Sequence, residues 1–365
     1  MSLLFSPFDV GPLKVKNRIA IAPMCQYSAF DGLAQPWHAQ HLGRLVLSGA
    51  GLVILEATAV SPEGRITPQD LGLWNEAQEE ALARLLQDAR TYSDTPIGVQ
   101  LGHAGRKAST APPFKGGGAL SVQEGGWQVL APSPAPFRDD WPVPAQMTQA
   151  QMEAVVADFE AAASRADRAG FDLAELHAAH GYLLSAFLSP LSNRRDDAFG
   201  GSAENRARFP LMAARALRKA WPKDKALGAR FNGSDWVEGG LELEEVIDFA
   251  KALHEIGYDY LHLSSGGNAA RASIPGDQPG YQLGFAEAVK TAVPEAVVMA
   301  VGMIHQPDQA EAVIAQGQAD LVAVARAVLD NPNWPHRAAV ALGEPGRLPA
   351  QYERADKAHW PGWRA

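Results

Sequence analysis

The feature that most constrains this chain is an alternation repeated eight times: a short apolar, β-rich run, then a stretch with helical periodicity. The runs are Ile19 to Ala22, Leu52 to Ala57, Ile97 to Leu101, Leu173 to His177, Leu227 to Phe231, Tyr260 to Ser264, Val297 to Val301 and Leu321 to Ala325. Helical candidates lie around His38 to Leu47, Ala77 to Tyr92, Gln149 to Ala169, Glu204 to Ala220, Glu242 to Ile256, Phe285 to Ala292 and Pro307 to Gln316, with a last one after Asn333. Thr148 and Ser202 stand where N-caps belong, and Gly170, Gly257 and Gly317 where helices stop. Alternation of this kind implies parallel strands joined by helical crossovers. The runs are too apolar for a sheet with one wet face, so they predict an α/β fold, a single closed (β/α)8 TIM barrel. The rival, an open doubly wound sheet, would want Gly-x-Gly-x-x-Gly after the first strand, where Ala22-Pro23-Met24-Cys25 stands instead.

One barrel domain accounts for residues 1–365, with 344–365 as a C-terminal tail. The tail has lost helical periodicity yet keeps Tyr352, Trp360 and Trp363, which predicts docking onto another surface. Extended loops follow strand 3 (Gly102 to Met147), strand 4 (His180 to Ala203) and strand 6 (Ser265 to Leu283). All leave C-terminal strand ends, where barrel enzymes build their sites.

Composition narrows the chemistry. With 41 acidic against 32 basic residues the net charge is -9, the wrong sign for a phosphate-backbone binder, so no nucleic acid is expected as partner. A single cysteine, Cys25, excludes an intrachain disulfide and any metal cluster held by several of the chain's own thiolates. No apolar run is long enough for a bilayer span, and the start lacks a basic region with a long apolar core, so the expected location is the cytoplasm, away from membranes.

His177 and His180 end the fourth strand, three positions apart. Two imidazoles there can converge on one oxygen, as metal ligands or as donors that polarise a carbonyl. A metal would need further ligands, with Glu56, Glu175 and His103 the nearest recruits, and the expectation is a donor clamp without metal. Tyr182 supplies a phenol that could donate a proton beside the clamp, or merely pack. Gln100, at the end of strand 3, carries an amide able to donate and accept at once, which suits a planar heterocycle. Arg230 on strand 5 would put a cation beside that ring and favour an anionic reduced form. Gly302 after strand 7 and Ala325-Arg326 after strand 8 occupy the loops where many barrels cradle a phosphate.

These residues form a wider pattern. Arg18-Ile19-Ala20-Ile21-Ala22-Pro23-Met24-Cys25-Gln26-Tyr27, the run Gln100-Leu101-Gly102-His103-Ala104-Gly105-Arg106-Lys107, His177 to Tyr182, Ser192-Asn193-x-Arg195-x-Asp197, Gly200-Gly201-Ser202-x-Glu204-Asn205-Arg206 and the Arg326 loop together resemble the Old Yellow Enzyme flavoproteins, collinearly over almost the whole chain. Cys25 after Pro23-Met24, with Gln351-Tyr352-Glu353-Arg354 near the end, is similar to the thermophilic-like branch. The resemblance implies FMN held by Ala22, Pro23, Met24, Cys25, Ala57, Gln100, Arg230, Gly302, Ala325 and Arg326. It implies substrate oxygen on His177 and His180, a second hydroxyl from Tyr27, Tyr182 as proton donor, and Cys25 tuning the flavin. Arg354 would reach into a neighbouring subunit's pocket in a homodimer or dimer-based tetramer.

The function so implied is an FMN-dependent, NADPH-oxidising ene-reductase acting on α,β-unsaturated carbonyl or nitro compounds. Two rivals stand beside it: a phosphate-substrate barrel lyase or isomerase without flavin, and an FMN-binding protein without turnover. One departure is Ala325, where the family usually has glycine. If that position needs a positive φ, alanine costs roughly 1 kcal/mol.

Overall fold

A computed structural model describes residues 2–362, so Trp363 lies outside the described residues. Eight parallel strands close into a barrel: strand 1 (Ile19–Ile21), strand 2 (Leu52–Ala59), strand 3 (Ile97–Gly102), strand 4 (Leu173–Ala178), strand 5 (Ala226–Asn232), strand 6 (Tyr260–Ser264), strand 7 (Val297–Ala300) and strand 8 (Leu321–Val324). Strand 1 closes the ring, pairing Ile19 with Val322 of strand 8 and Ala20 with Leu52 of strand 2. Seven of the eight differ from their sequence-predicted ends, by no more than two residues. Strand 6 matches at both ends.

The strands are apolar on both faces because each faces something dry. Outward-facing Leu55, Val99, Leu176 and Leu261 join Phe159, Phe209 and Leu253 of the surrounding helices in the main core. Inward, Leu52, Leu173, Ala226, Tyr260, Met299 and Leu321 fill the lower barrel, with Val10 and Val15 of an N-terminal hairpin (Phe8–Val10 with Leu13–Val15) beneath them. The Tyr260 ring crosses the lumen over Gly228, where a Cβ would come within 2.0 Å of it.

The helical punctuation works as its chemistry requires. Thr148 and Ser202 accept from the amides of Gln151 and Asn205 at the starts of Gln149–Ala169 and Ala203–Ala220. Gly170 and Gly257 take the left-handed φ of 97° and 100° that ends a helix. Structure unforeseen in the sequence lies in the loops: a short helix Leu183–Leu188 after strand 4, a ribbon pairing Leu130–Ala131 with Ala145–Gln146, and a 3-10 helix Ala350–Ala355 in the tail. No helix among the described residues is long and apolar enough to cross a membrane.

Candidate active site

Strand 4 delivers His177 and, at the turn that leaves it, His180 and Tyr182. Their rings stand nearly perpendicular to one another: His177 to His180 at 5.2 Å, His177 to Tyr182 at 5.0 Å and His180 to Tyr182 at 6.4 Å between centroids. The structure therefore brings together all three residues assigned to the oxygen clamp and the proton. The Nδ1 of His177 accepts the Ala179 amide at 3.2 Å, which leaves the proton on Nε2 as a donor. Burial, reinforced by the Arg230 charge, pushes His177 down to about 3, so the ring is neutral at physiological pH. His180 is lowered for the same two reasons. Its Nε2 lies 2.7 Å from Ser264 Oγ, a partner that the sequence reading did not anticipate. Burial raises the Tyr182 phenol, keeping its proton on.

Beneath the clamp a buried polar network holds the groups expected to meet a heterocycle. The amide nitrogen of Gln100 donates one N–H to Glu175 Oε1 at 2.7 Å, which fixes the amide and leaves its second N–H and its oxygen to meet a heterocycle. Glu175 also accepts from Tyr260 Oη at 3.0 Å and faces His262 Nδ1 at 2.8 Å. Burial alone would raise its carboxyl, but His262 and Arg230 hold it below the usual carboxylate range. Glu175 is thus a structural anion within the barrel. Arg230 reaches Ser264 Oγ at 3.4 Å, while its Nε is buried without a protein partner. A buried guanidinium N–H left unpaired is a donor waiting for an acceptor from a ligand.

The loop after strand 1 carries Ala22, Pro23, Met24, Cys25 and Tyr27. Ala22 N donates to Val324 O at 2.9 Å, tying the turn to strand 8, and Met24 packs on the main core. Glu56 accepts the Gln26 amide at 2.8 Å beside a register shift between Leu55 and Ala57 in strand 2. Burial raises the Cys25 thiol, with Asp70 and Glu56 adding to it, so at neutral pH it is a thiol and not a thiolate. Burial and the same neighbours raise Tyr27, whose φ is 50°.

A cavity of about 340 Å³ runs from His180 and Arg230 to Ala325 and Arg326. Gly302 lines it with a φ of 120°, and a Cβ there would fall 2.6 Å from Gln282 Nε2, so this position accepts glycine alone without displacement. Ala325 has a φ of -126°, outside the left-handed region, so the penalty attached to a positive φ does not arise. Arg326 is exposed, and its guanidinium makes a 3.9 Å approach to Met303 Sδ. FMN fits these residues on the structure's own terms: an orphaned guanidinium donor and an amide oxygen at one end, and a free-standing arginine at a helix start at the other. Arg354 is not in this cavity; it sits on the exposed tail helix, which buries none of its residues.

Fold and site together define a flavin-dependent oxidoreductase barrel. The chain belongs to the NADH:flavin oxidoreductase / NADH oxidase family, whose model matches residues 3–344. It is 40% identical over 368 residues to an NADPH dehydrogenase of Geobacillus thermodenitrificans, covering 100% of this chain and 99% of that protein. It is 42% identical to an NADPH dehydrogenase of Bacillus velezensis, covering 96% and 98%. Among solved structures, morphinone reductase superposes with a TM-score of 0.78 at 28% identity, covering 98% of this chain and 92% of that one. A 2-naphthoyl-CoA reductase gives 0.84 at 26% identity over 94% of this chain, which spans about half of that longer protein. The Old Yellow Enzyme resemblance is thereby established, and with it an oxidoreductase that uses FMN and a nicotinamide nucleotide.

Proposed function

We propose that the protein reduces the activated C=C bond of α,β-unsaturated carbonyl or nitro compounds, with NADPH as the electron source. The observation that carries this reading is the convergence of the His177, His180 and Tyr182 rings, with His180 lining the cavity that leads to Arg326. FMN, when bound, would supply the two-electron hydride chemistry that couples NADPH oxidation to reduction of the alkene.

The chain's own residues do the rest. Gln100, Arg230 and the backbone of Ala22 to Cys25, with Ala57 and Gly302, would hold and orient the ring, while Ala325 and Arg326 take the phosphate. His177 Nε2–H, preset as a donor by the Ala179 amide, binds the substrate oxygen and stabilises the charge that builds there. His180 gives the second contact, its ring steadied by Ser264. Tyr182, which keeps its proton through neutral pH, delivers it to the α-carbon. Tyr27 would add a second hydroxyl at the site, and Cys25, as an uncharged thiol, would tune the flavin without adding charge.

The tail completes the proposal. The 3-10 helix Ala350–Ala355 stands exposed, with Tyr352 55% and Trp360 48% accessible, which supports an interface role in a homodimer or dimer-based tetramer. Arg354 would then close a neighbour's substrate pocket. The working location is the cytoplasm, where a lone reduced cysteine persists.

Isotope placement tests the reaction. With NADPH deuterated at C4 on the transferable face and 2-cyclohexenone as substrate, deuterium should appear at the β-carbon of the saturated ketone, and in D2O solvent deuterium should appear at the α-carbon. Recovery of unreduced enone alongside consumed NADPH would refute it.

A further inference from the structure

Three loops meet behind the clamp, and one side chain touches the key atoms of two of them from the third. His180 has a φ of 62°, a conformation that a residue with a Cβ keeps only when its surroundings hold it. Both of its peptide groups are held by side chains: its N–H donates to Asn232 Oδ1 at 3.0 Å, and its carbonyl accepts from Lys107 Nζ at 2.7 Å. Lys107 Nζ also donates to the carbonyl of Gly267, in the loop after strand 6, at 3.3 Å. There the two backbones are pressed together. A Cβ on Gly181 would come within 2.0 Å of Gly267 O, and one on Gly267 within 2.2 Å of His180 O. Close packing thus brings two carbonyl oxygens to one spot, and a cation is what makes that approach favourable.

We propose that Lys107 is a positioning residue for the oxygen clamp: its ammonium, shared between the carbonyls of His180 and Gly267, locks the left-handed turn that aims the His180 ring at the substrate oxygen. This rests on the clamp assignment given above and adds to it the group that sets its geometry. The prediction is loss of substrate binding with retention of FMN, because Lys107 contacts the turn and not the cavity around Arg326.

The surroundings of Lys107 make the lock sensitive to pH. Its hydrogen bonds go to backbone carbonyls; Arg106 and Arg138 lie near, and its Nζ sits 4.5 Å from the Phe137 ring centroid and 5.1 Å from that of Tyr182. Burial first, then the two arginines, bring it down to about 7. An ammonium makes charge-assisted bonds and a neutral amine does not, so the lock weakens as pH rises through 7. His177 and His180 stay neutral over that range, and Tyr182 stays protonated. Asp70, from the loop after strand 2, lines a crevice with Tyr182 and is raised by burial to about 7, so it titrates in the same window and must be separated from Lys107 by mutation.

The test uses FMN-loaded protein and 2-cyclohexenone, with binding read from the oxidised flavin spectrum and no reductant present. At pH 6 the Lys107→Met variant should retain stoichiometric FMN and show a Kd raised about tenfold or more. Between pH 6 and pH 8.5 the parent Kd should rise several-fold, while that of Lys107→Met stays flat. Lys107→Gln, which keeps N–H donors without a titrating charge, should bind with intermediate affinity and a flat profile, and it carries the comparison if Lys107→Met loses FMN. Parent-like affinity in both variants, or a parent-like rise with pH in both, would overturn the proposal while leaving the clamp in place. A parent that binds no enone at either pH would overturn the clamp and this inference together.

Discussion

The two ends of the cavity are built differently. At the clamp, the two histidines and the amide beneath them are held by protein partners: His177 on the Ala179 amide, His180 on Ser264 and Asn232, and Gln100 on Glu175. At the Arg326 end the side chain is exposed, and its surroundings offer a weak approach to a thioether. The difference follows from what each end meets. A substrate oxygen gains charge only in the transition state, so its donors must be oriented beforehand, with no reorganisation left to do. A phosphate arrives fully charged and brings its own acceptors, so an exposed arginine and a helix start suffice to capture it. Breaking the first end should therefore spoil chemistry with FMN retained. Breaking the second should lose FMN.

The largest expected effect is at Tyr182. Replacement by Phe should slow reoxidation of the reduced enzyme by enones by about 10²- to 10⁴-fold, the usual range for a lost general acid, while reduction by NADPH changes little. Stopped-flow measurement of the two half-reactions separates them, and equal slowing of both would give Tyr182 a packing role. Strongly polarised nitroalkenes should be less affected, since water can protonate their nitronates afterwards.

His177→Ala and His180→Ala come next. Each removes a contact to the developing charge and should cost roughly 2 to 4 kcal/mol in the enone half-reaction, with the flavin spectrum and FMN content preserved. Enone reduction at the parent rate in both variants would dissolve the distinction between the two ends.

Arg326→Ala sharpens the comparison from the other side. It should weaken FMN binding by about 1.5 to 3 kcal/mol, the value of hydrogen bonds to a charged group, while the apoprotein reconstituted at high FMN reduces enones at close to the parent rate. Dialysis followed by titration with FMN measures the first quantity, and turnover at saturating FMN the second.

A further effect, on stability and not on turnover, concerns acid. His177 and His103 have folded-state values near 3 and 4, below the ordinary value near 6.5, so the unfolded chain binds protons more readily than the native one. Their contribution to stability is complete above about pH 6.5 and is lost as pH falls from there toward about 3. The thermal midpoint should decline over that interval, and the acid side of the enone-reduction profile should show no limb near 6.5 from the clamp histidines.

The same contrast governs what could be read from the sequence. The eight strands announce themselves because both faces are buried, which leaves apolar runs no helix or loop of this length would carry. The helix Gln149–Ala169 is legible at both ends because Thr148 and Gly170 act locally. His177, His180 and Tyr182 are legible because strand 4 places them close in sequence as well as in space. Glu175 is visible in that run, but its role is not. An acid among Leu173-Ala174-Glu175-Leu176 reads equally as a ligand or a core anion until Gln100, Tyr260 and His262 are brought to it from two other strands. Lys107 and Ser264 escape for the same reason, since their partners lie 73 and 84 residues away. The left-handed φ of His180 leaves no trace in residue type, because what holds it is contact across loops.

The central claim is that electrons enter from NADPH and leave to an alkene whose oxygen is held at the clamp. It is tested most directly by anaerobic titration of the yellow holoenzyme. NADPH should bleach the flavin absorbance, and 2-cyclohexenone added afterwards should restore it with one cyclohexanone formed per flavin reoxidised. Bleaching that the enone leaves untouched, and that only oxygen reverses, would contradict the account.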